Sequence, residues 1–139
     1  MSTTPDPIVD VLDADECWEL LSGVDFGRLA IATDPGVDIF PMNFLVRDRA
    51  IYLRSAPGTK LMELTEHPSI AFEADGTHDR RRWSVVVKGE IRRLGFDSEI
   101  IESGVLDLWS KNPTEKWNYL QITPSQVTGR RFTSQRRSS

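Results

Sequence analysis

Short runs of alternating apolar and polar residues, separated by turn-forming residues, are the feature that most constrains the fold of this chain. These runs are rich in β-branched and aromatic residues, which favour strands over helices. Their sequential, hairpin-like order predicts an antiparallel barrel rather than alternating βαβ units. We predict six or seven strands over residues 28–33, 38–47, 51–55, 69–75, 83–94, 117–122 and 126–132, the last two broken at Pro124.

Three short helices are predicted between these strands. Asp13 and Glu16 have capping-box spacing at the start of the first helix, and the apolar stripe that follows contains Cys17. A second helix is predicted over residues 60–66, and Asp97 opens a third. The fold class is therefore mainly β with short helices.

Two residues mark irregular points in the predicted sheet. Pro41 cannot donate a hydrogen bond to a neighbouring strand, so its strand must lie at an edge or be interrupted there. Gly89 interrupts the long fifth run and predicts a bend or bulge.

Length and composition limit the classes of protein to which the chain can belong. Its 139 residues, 39% hydrophobic, suffice for one core, and we expect a single domain over residues 11–133. Residues 1–10 are expected to be disordered or extended, and residues 134–139 to form a flexible basic tail. One cysteine and two histidines exclude a disulfide framework and a structural zinc site.

Charge and hydropathy indicate the expected partners and compartment. The formal net charge of −4 argues against non-specific nucleic-acid binding, which needs a positive surface. No apolar stretch approaches the ~20 residues that span a bilayer, so no membrane contact is expected. Residues 1–10 lack a basic region followed by an apolar run, which predicts a cytoplasmic protein.

Side chains suited to direct catalysis are few. Cys17 lies on an apolar helix stripe, where it is expected to be a buried small hydrophobe. His67 falls at a predicted helix end and His78 at a hairpin tip, with no further metal ligands beside them. Glu73 and Asp75 share one strand face close to the basic segment 80–82, which favours a salt-bridged rim over an acid–base pair.

A candidate phosphate site lies where the third strand gives way to the second helix. Arg54 and Ser55 end the strand, Gly58 permits a close turn, and Thr59 and Lys60 begin the helix. A helix N-terminus with two cations suits a phosphomonoester. The alternative interpretation is an ordinary helix cap with surface charges.

The preceding strand supplies a second element of a candidate site. Alternation places Asn43 on the face opposite Phe40, Met42 and Phe44, beside Pro41. Apolar groups combined with a few fixed polar groups suit a flat heterocyclic ligand. An edge strand with one solvent-facing Asn is the alternative.

Five segments between Leu12 and Leu94 read, in chain order, GRLAIA, IFPMNFLV, IYLRSAPGTKL, SIAFEAD and WSVVVKGEIRRL. Their order resembles the pyridoxamine 5′-phosphate oxidase-like family of flavin-binding split β-barrel proteins, in particular its small actinobacterial members of unassigned substrate. The resemblance implies an antiparallel, Greek-key-like FMN-binding split β-barrel.

The resemblance also implies a homodimer with FMN in the clefts between subunits, and hydride transfer through the cofactor to or from a small-molecule substrate. The FMN phosphate and ribityl chain would be held by Arg54, Ser55, Thr59 and Lys60. The isoalloxazine ring would lie along Pro41, Met42, Asn43 and Phe44, and Trp83 and Ser84 would reach the cofactor from the long strand. From the residues alone, a core or interface aromatic is the favoured interpretation of Trp83.

Three alternatives stay open. An F420-dependent reductase would need extra basic residues for the acidic cofactor tail, which Arg80, Arg81 and Arg82 could supply. A non-catalytic protein could sequester a flavin or haem, and a dimeric scaffold would have an empty cleft. The chain ends in residues 134–139 without the Arg-Leu-x-Pro-like stretch of the vitamin B6 oxidases, so the substrate is left open.

Overall fold

A computed structural model of the protein describes residues 8–32, 36–55, 69–94 and 118–133. These ranges contain one helix and seven strands, which confirms the prediction of a mainly β protein. The elements are β1 (Ile8–Leu12), α1 (Ala14–Ser22), β2 (Phe26–Ala32), β3 (Val37–Arg47), β4 (Ala50–Ser55), β5 (Ser69–His78), β6 (Arg81–Arg93) and β7 (Asn118–Thr133). The second and third predicted helices, His67 and residues 1–7 and 134–139 lie outside the described residues, whereas residues 8–10, expected to be disordered or extended, belong to β1.

The strands form one antiparallel sheet that closes on itself. Its order is β1-β7-β4-β3-β2-β5-β6, and an additional β6–β7 pairing completes a ring of six strands. Closure pairs most of the strand edges that an open antiparallel sheet of this size would expose. The predicted antiparallel barrel is therefore confirmed, and β1, which alternation did not reveal, adds to the outside of the ring through β7.

The expected break at Pro124 is wrong, because β7 is continuous from Asn118 to Thr133. On one side of β7, β4 pairs with residues 118–122 and β1 with residues 129–133. Pro124 lies between the residues that pair with β4 and those that pair with β1, and its described partner is on β6. Because no described strand pairs with Pro124 on the β4 and β1 side, its missing N–H interrupts no ladder there.

The predicted irregularity at Gly89 is confirmed. The register between β6 and β7 shifts between Lys88 and Gly89, which pair with Gln126 and Pro124 respectively. A Cβ atom at Gly89 would lie 2.1 Å from the Thr123 carbonyl oxygen, so the two backbones approach more closely than any other residue permits.

Helix α1 begins and ends as its sequence predicts. The Asp13 side chain accepts a hydrogen bond of 2.8 Å from the Glu16 backbone N–H, and Gly23 caps the other end. Cys17 and Leu21 are fully enclosed, which seats the helix against the barrel. A Cβ atom at Gly129 would lie 2.6 Å from Cys17 Sγ, so β7 and α1 are in close contact there.

The barrel interior is filled by alternate residues of the ring strands. Phe44 and Phe72 lie at its centre, with ring centroids 4.8 Å apart and planes at 68°. Both side chains are completely buried. Because side chains alternate along each strand, the intervening residues face outward and form the outer face of the barrel.

Candidate functional site

Strand β3 changes its partner midway. Residues 37–43 pair with β2, whereas residues 44–47 pair with β4. On the side away from β2, the first half of β3 meets no other strand in the described ranges. Pro41 belongs to this half, as predicted for a proline at a sheet edge. The ring is therefore split between the first half of β3 and the end of β4, and we call this opening the cleft.

Two residues of β3 face outward at the cleft. Pro41 and Asn43 are exposed, whereas Met42 is half-buried and Phe44 is fully buried. The Asn43 Nδ2 donates to the Asp25 carbonyl at 3.1 Å, which fixes the orientation of the amide. Among the described residues no donor reaches the Asn43 Oδ1, which leaves this oxygen available for a ligand.

The last residues of β4 lie on the other side of the cleft. The β3–β4 ladder ends at the Phe44–Leu53 pair. Asn43 is the next residue beyond this pair on β3, and Arg54 is the next residue beyond it on β4. Arg54 is half-buried and Ser55 is buried, and both residues take part in interactions. The structure thus brings the strand-end cation and Asn43 to one opening, while Thr59 and Lys60 lie outside the described residues.

The outer face beside the cleft carries exposed apolar side chains. Phe26, directly opposite Asn43 across β2 and β3, is 47% exposed, and Val37 and Ile39 are each 63% exposed. The apolar surface near Asn43 is therefore made of these outward residues. Phe44, in contrast, belongs to the interior.

Trp83 and Ser84 face opposite sides of β6. Ser84 lies on the outer face, in a depression of about 270 Å³ shared with Thr128 and Arg130 of β7. Trp83 is 3% exposed and belongs to the core. Strands β2 and β5 separate Ser84 from Asn43, and β6 presents only the Ser84 side chain to the outer face that carries Asn43.

Sequence reasoning missed the central ion-pair group of the outer face. Arg28 Nε lies 2.6 Å from Glu73 Oε2, and Arg28 Nη2 lies 2.6 Å from Asp75 Oδ2. A salt-bridged rim was predicted for the two carboxylates and is confirmed, but the basic partner is Arg28 rather than the segment 80–82. Only the pairing of β2 with β5 reveals this, since 45 residues separate Arg28 from Glu73.

The ionisation of this group is set by burial as well as by charge. Burial raises the pKa of the Glu73 carboxyl, and the neighbouring Asp75 adds to this, although the hydrogen bond from Arg28 lowers it. Hydrogen bonding to Glu73 raises the pKa of Arg28. Arg28 is therefore a permanently charged cation that lies between the carboxyl groups of Glu73 and Asp75 on the outer face.

The remaining candidates for direct chemistry are in unreactive settings. Burial raises the pKa of the Cys17 thiol, with smaller contributions from Asp13 and Glu16, so the nucleophilic thiolate is disfavoured. His78 is exposed and lies 3.4 Å from Asp79, its neighbour in the chain. The described ranges contain no cluster of three or more residues suited to hold a metal ion. They also contain no helix long and apolar enough to cross a membrane.

The described residues thus form an antiparallel barrel that is split beside β3, which defines the class of split β-barrel proteins. The sequence model of the Pyridoxamine 5'-phosphate oxidase family matches residues 13–131. The chain belongs to this family, and the resemblance stated from its five segments is confirmed.

Solved structures agree with this assignment. The chain is 38% identical to a protein of Corynebacterium glutamicum provisionally described as a pyridoxamine 5'-phosphate oxidase, with a TM-score of 0.80 over 96% of this chain and 98% of that one. It is 35% identical to an FAD binding protein from Mycobacterium smegmatis, with a TM-score of 0.75 over 89% and 100% of the two chains. An uncharacterized protein of Mycobacterium tuberculosis is 30% identical over 91% of this chain and 88% of its own length.

Proposed function

We propose that the protein binds FMN in the cleft and is a flavin-dependent oxidoreductase. The observation that carries the proposal is the juxtaposition of Asn43 and Arg54 where β3 and β4 separate, in a chain of this family. Family membership and a relative described as FAD binding support a flavin cofactor. The fixed Asn43 amide, the unpaired strand edge and the exposed apolar side chains match what a flat, polar-edged ring requires.

Each end of the cofactor has its own set of residues in this proposal. Arg54 and Ser55, with Thr59 and Lys60 from the following segment, hold the phosphate and ribityl chain. The ring lies along residues 41–44, where Pro41 and Asn43 offer side chains, and Met42 and Phe44 offer backbone groups.

Strand β6 adds a hydroxyl group from Ser84, whereas Trp83 contributes only its backbone, because its indole lies on the inner side. When bound, the flavin supplies hydride transfer, and the protein supplies binding and orientation.

The proposal includes a second copy of the chain. Phe26, Val37 and Ile39 expose apolar surface beside the cleft, and burial of such surface drives association. In sedimentation equilibrium, we expect the protein to be a dimer and Ile39→Asp to shift it towards the monomer with weaker flavin binding. Val11→Asp is the matched control, because Val11 is also exposed but lies on β1. An unchanged dimer in Ile39→Asp would place the contact elsewhere.

Titration decides whether the cleft binds flavin and which one. We expect the purified protein to bind FMN with a change in the flavin absorption spectrum, and Arg54→Ala and Lys60→Ala each to weaken binding roughly 10-fold to 100-fold, as loss of a charge-assisted contact does. Arg47→Ala is the control, because Arg47 is exposed at the far end of β3. A protein that takes up no flavin, or variants that bind as wild type, contradicts the proposed site.

FAD is the second candidate cofactor, since two relatives at 35% and 26% identity are described as FAD binding proteins. Parallel titrations with FMN, FAD and F420 order the three by dissociation constant. Tighter binding of F420 would favour the F420-dependent reductase instead, and Arg80→Ala, Arg81→Ala and Arg82→Ala should then weaken it.

Turnover is tested separately from binding. We expect the bound flavin to be reduced by a nicotinamide donor and reoxidised by oxygen, both followed by its absorbance. A bound flavin that no nicotinamide donor reduces would favour the non-catalytic binding protein over the oxidoreductase.

A further inference from the structure

A second cavity lies on the inner side of β6, away from the cleft. It has a volume of about 360 Å³, at the small end of the roughly 300–1,000 Å³ typical of ligand sites. Helix α1 forms one wall, and the ends of β5, β6 and β7 form the other. We call it the α1 pocket, and the lining residues used below are Glu16, Glu19, Leu20, Val24, Trp83 and Arg131.

The floor of the α1 pocket carries an unused hydrogen-bond donor. Trp83 is 3% exposed, and its indole N–H makes no hydrogen bond to the described residues. In the same ranges, no fully enclosed side-chain nitrogen or oxygen lacks a partner, so this N–H is not sealed in the core. Because Trp83 lines the α1 pocket, we infer that this accessible N–H can reach an acceptor bound there. An accessible indole N–H without a protein acceptor can donate to an acceptor group of a bound ligand.

Arg131 is a second donor beside the first, because it pairs directly with Trp83 across β6 and β7. Its side chain is only 18% exposed, yet its one partner in the described ranges is Glu16 Oε2 at 3.7 Å. That distance is too long for a hydrogen bond. A guanidinium group with free N–H groups next to an indole N–H matches the two oxygens of a carboxylate.

The opposite charge lies on α1. Glu19 follows Glu16 by three residues, so the two carboxylates are neighbours on one side of the helix. Glu16 already faces Arg131, whereas Glu19 has no ionic partner among the described residues. A simple anion would be repelled by these carboxylates and a simple cation by Arg131. A ligand that carries both charges would satisfy each group.

Apolar side chains complete the α1 pocket. Leu20 and Val24 line it from the end of α1 and the following residues, opposite the Trp83 ring. We propose that the α1 pocket binds a small zwitterion with an apolar body, which is the chemistry of an apolar α-amino acid. Its carboxylate meets Arg131 and Trp83, and its ammonium group meets Glu19. This site goes beyond the proposed flavin function and does not depend on it.

Isothermal titration of the purified protein with L-leucine, L-methionine and L-phenylalanine tests the proposal. We expect at least one to bind, and the matching acid without the amine, and amine without the acid, to bind at least about tenfold more weakly. For leucine these analogues are 4-methylpentanoate and 3-methylbutylamine. No binding of any of the three amino acids up to about 10 mM, or equal binding of an analogue, overturns the proposal.

Variants locate the site. Arg131→Gln and Glu19→Gln should each weaken binding of the amino acid about tenfold or more, and Trp83→Phe, which removes only the N–H and part of the ring, should weaken it less. Arg130→Gln is the matched control, because Arg130 neighbours Arg131 but faces outward. Glu19 is exposed on a helix, so Glu19→Gln retains the fold and stays informative if Arg131→Gln does not. Equal binding by Glu19→Gln and wild type overturns the proposal.

The heat of amino-acid binding can be measured whether or not the protein binds a flavin, so the two proposals are tested separately. A protein that binds the amino acid but no flavin supports the α1 pocket and contradicts only the proposed function. A protein that binds flavin but none of the amino acids gives the reverse result.

Discussion

Asn43 and Phe44 are consecutive residues of β3, yet they belong to two different parts of the molecule. Phe44 has no exposed surface and packs edge-on against Phe72, whereas Asn43 is exposed at the cleft and holds only the Asp25 carbonyl. Around Phe44 and Phe72 the inner face of the barrel is buried and apolar. The outer face combines ions, amides and exposed apolar groups. The period of two along each strand thus lets one segment serve stability and ligand binding independently.

Replacing the two neighbours tests this division most strongly. Phe44→Ala should lower the free energy of unfolding by about 3–5 kcal/mol, because it removes buried surface and leaves a cavity. Asn43→Ala should change it by less than about 0.5 kcal/mol while it weakens flavin binding. Urea unfolding followed by circular dichroism measures both. Comparable losses of stability in the two variants would show that the faces are not independent.

A smaller effect on the free energy of unfolding is expected where α1 packs against the barrel. Gly129→Ala should destabilise the protein by about 1–3 kcal/mol, since the new Cβ atom would lie 2.6 Å from Cys17 Sγ. Combining it with Cys17→Ala should recover part of the loss by making room. Gly23→Ala is the control, because its Cβ atom would meet the Leu20 carbonyl oxygen at an ordinary 3.5 Å. A double variant as unstable as Gly129→Ala alone would exclude this contact as the cause.

The smallest effect concerns the ions of the outer face. Burial holds the native pKa of Glu73 above 4.5, its ordinary value. Glu73 therefore contributes stability that is complete below pH 4.5 and is lost as the pH rises through its native pKa. Arg28→Met should raise this pKa further, because the bond from Arg28 lowers it.

Carbon NMR of the Glu73 carboxyl across a pH titration measures this shift. Arg82→Met is the control, because Arg82 lies on the same face without an ion pair to Glu73 among the described contacts. A Glu73 carboxyl that titrates at the same pH in Arg28→Met and wild type would contradict the effect of Arg28 on its pKa.

Local patterns in the sequence predict the elements that local physics determines. Capping at Asp13, alternation along β3 and the bulge at Gly89 depend on neighbouring residues, and the structure contains all three. The pairing of Arg28 with Glu73 depends on which strands become neighbours, and alternation carries no such information. The continuity of β7 through Pro124 likewise depends on the absence of a strand partner on one side.

The candidate site divides in the same way. Alternation predicts that Pro41 and Asn43 share the outward side of β3, as they do. The cleft beside them was not predictable, because it forms where β3 stops pairing with β2 and begins to pair with β4. The α1 pocket was missed for a similar reason. Trp83 and Arg131 are 48 positions apart in the sequence and meet only through the β6–β7 ladder.

The three pairings of β7 have a consequence for how the protein is made. β7 pairs with β4, β6 and β1. Among the described strands it is the last to be synthesised, yet it closes the ring and pairs with β1, the first strand to be synthesised. Until residues 118–133 leave the ribosome, the edges of β4 and β6 lack their final neighbour. Contacts this distant in sequence form slowly, so we expect nascent chains to depend on chaperones until barrel closure.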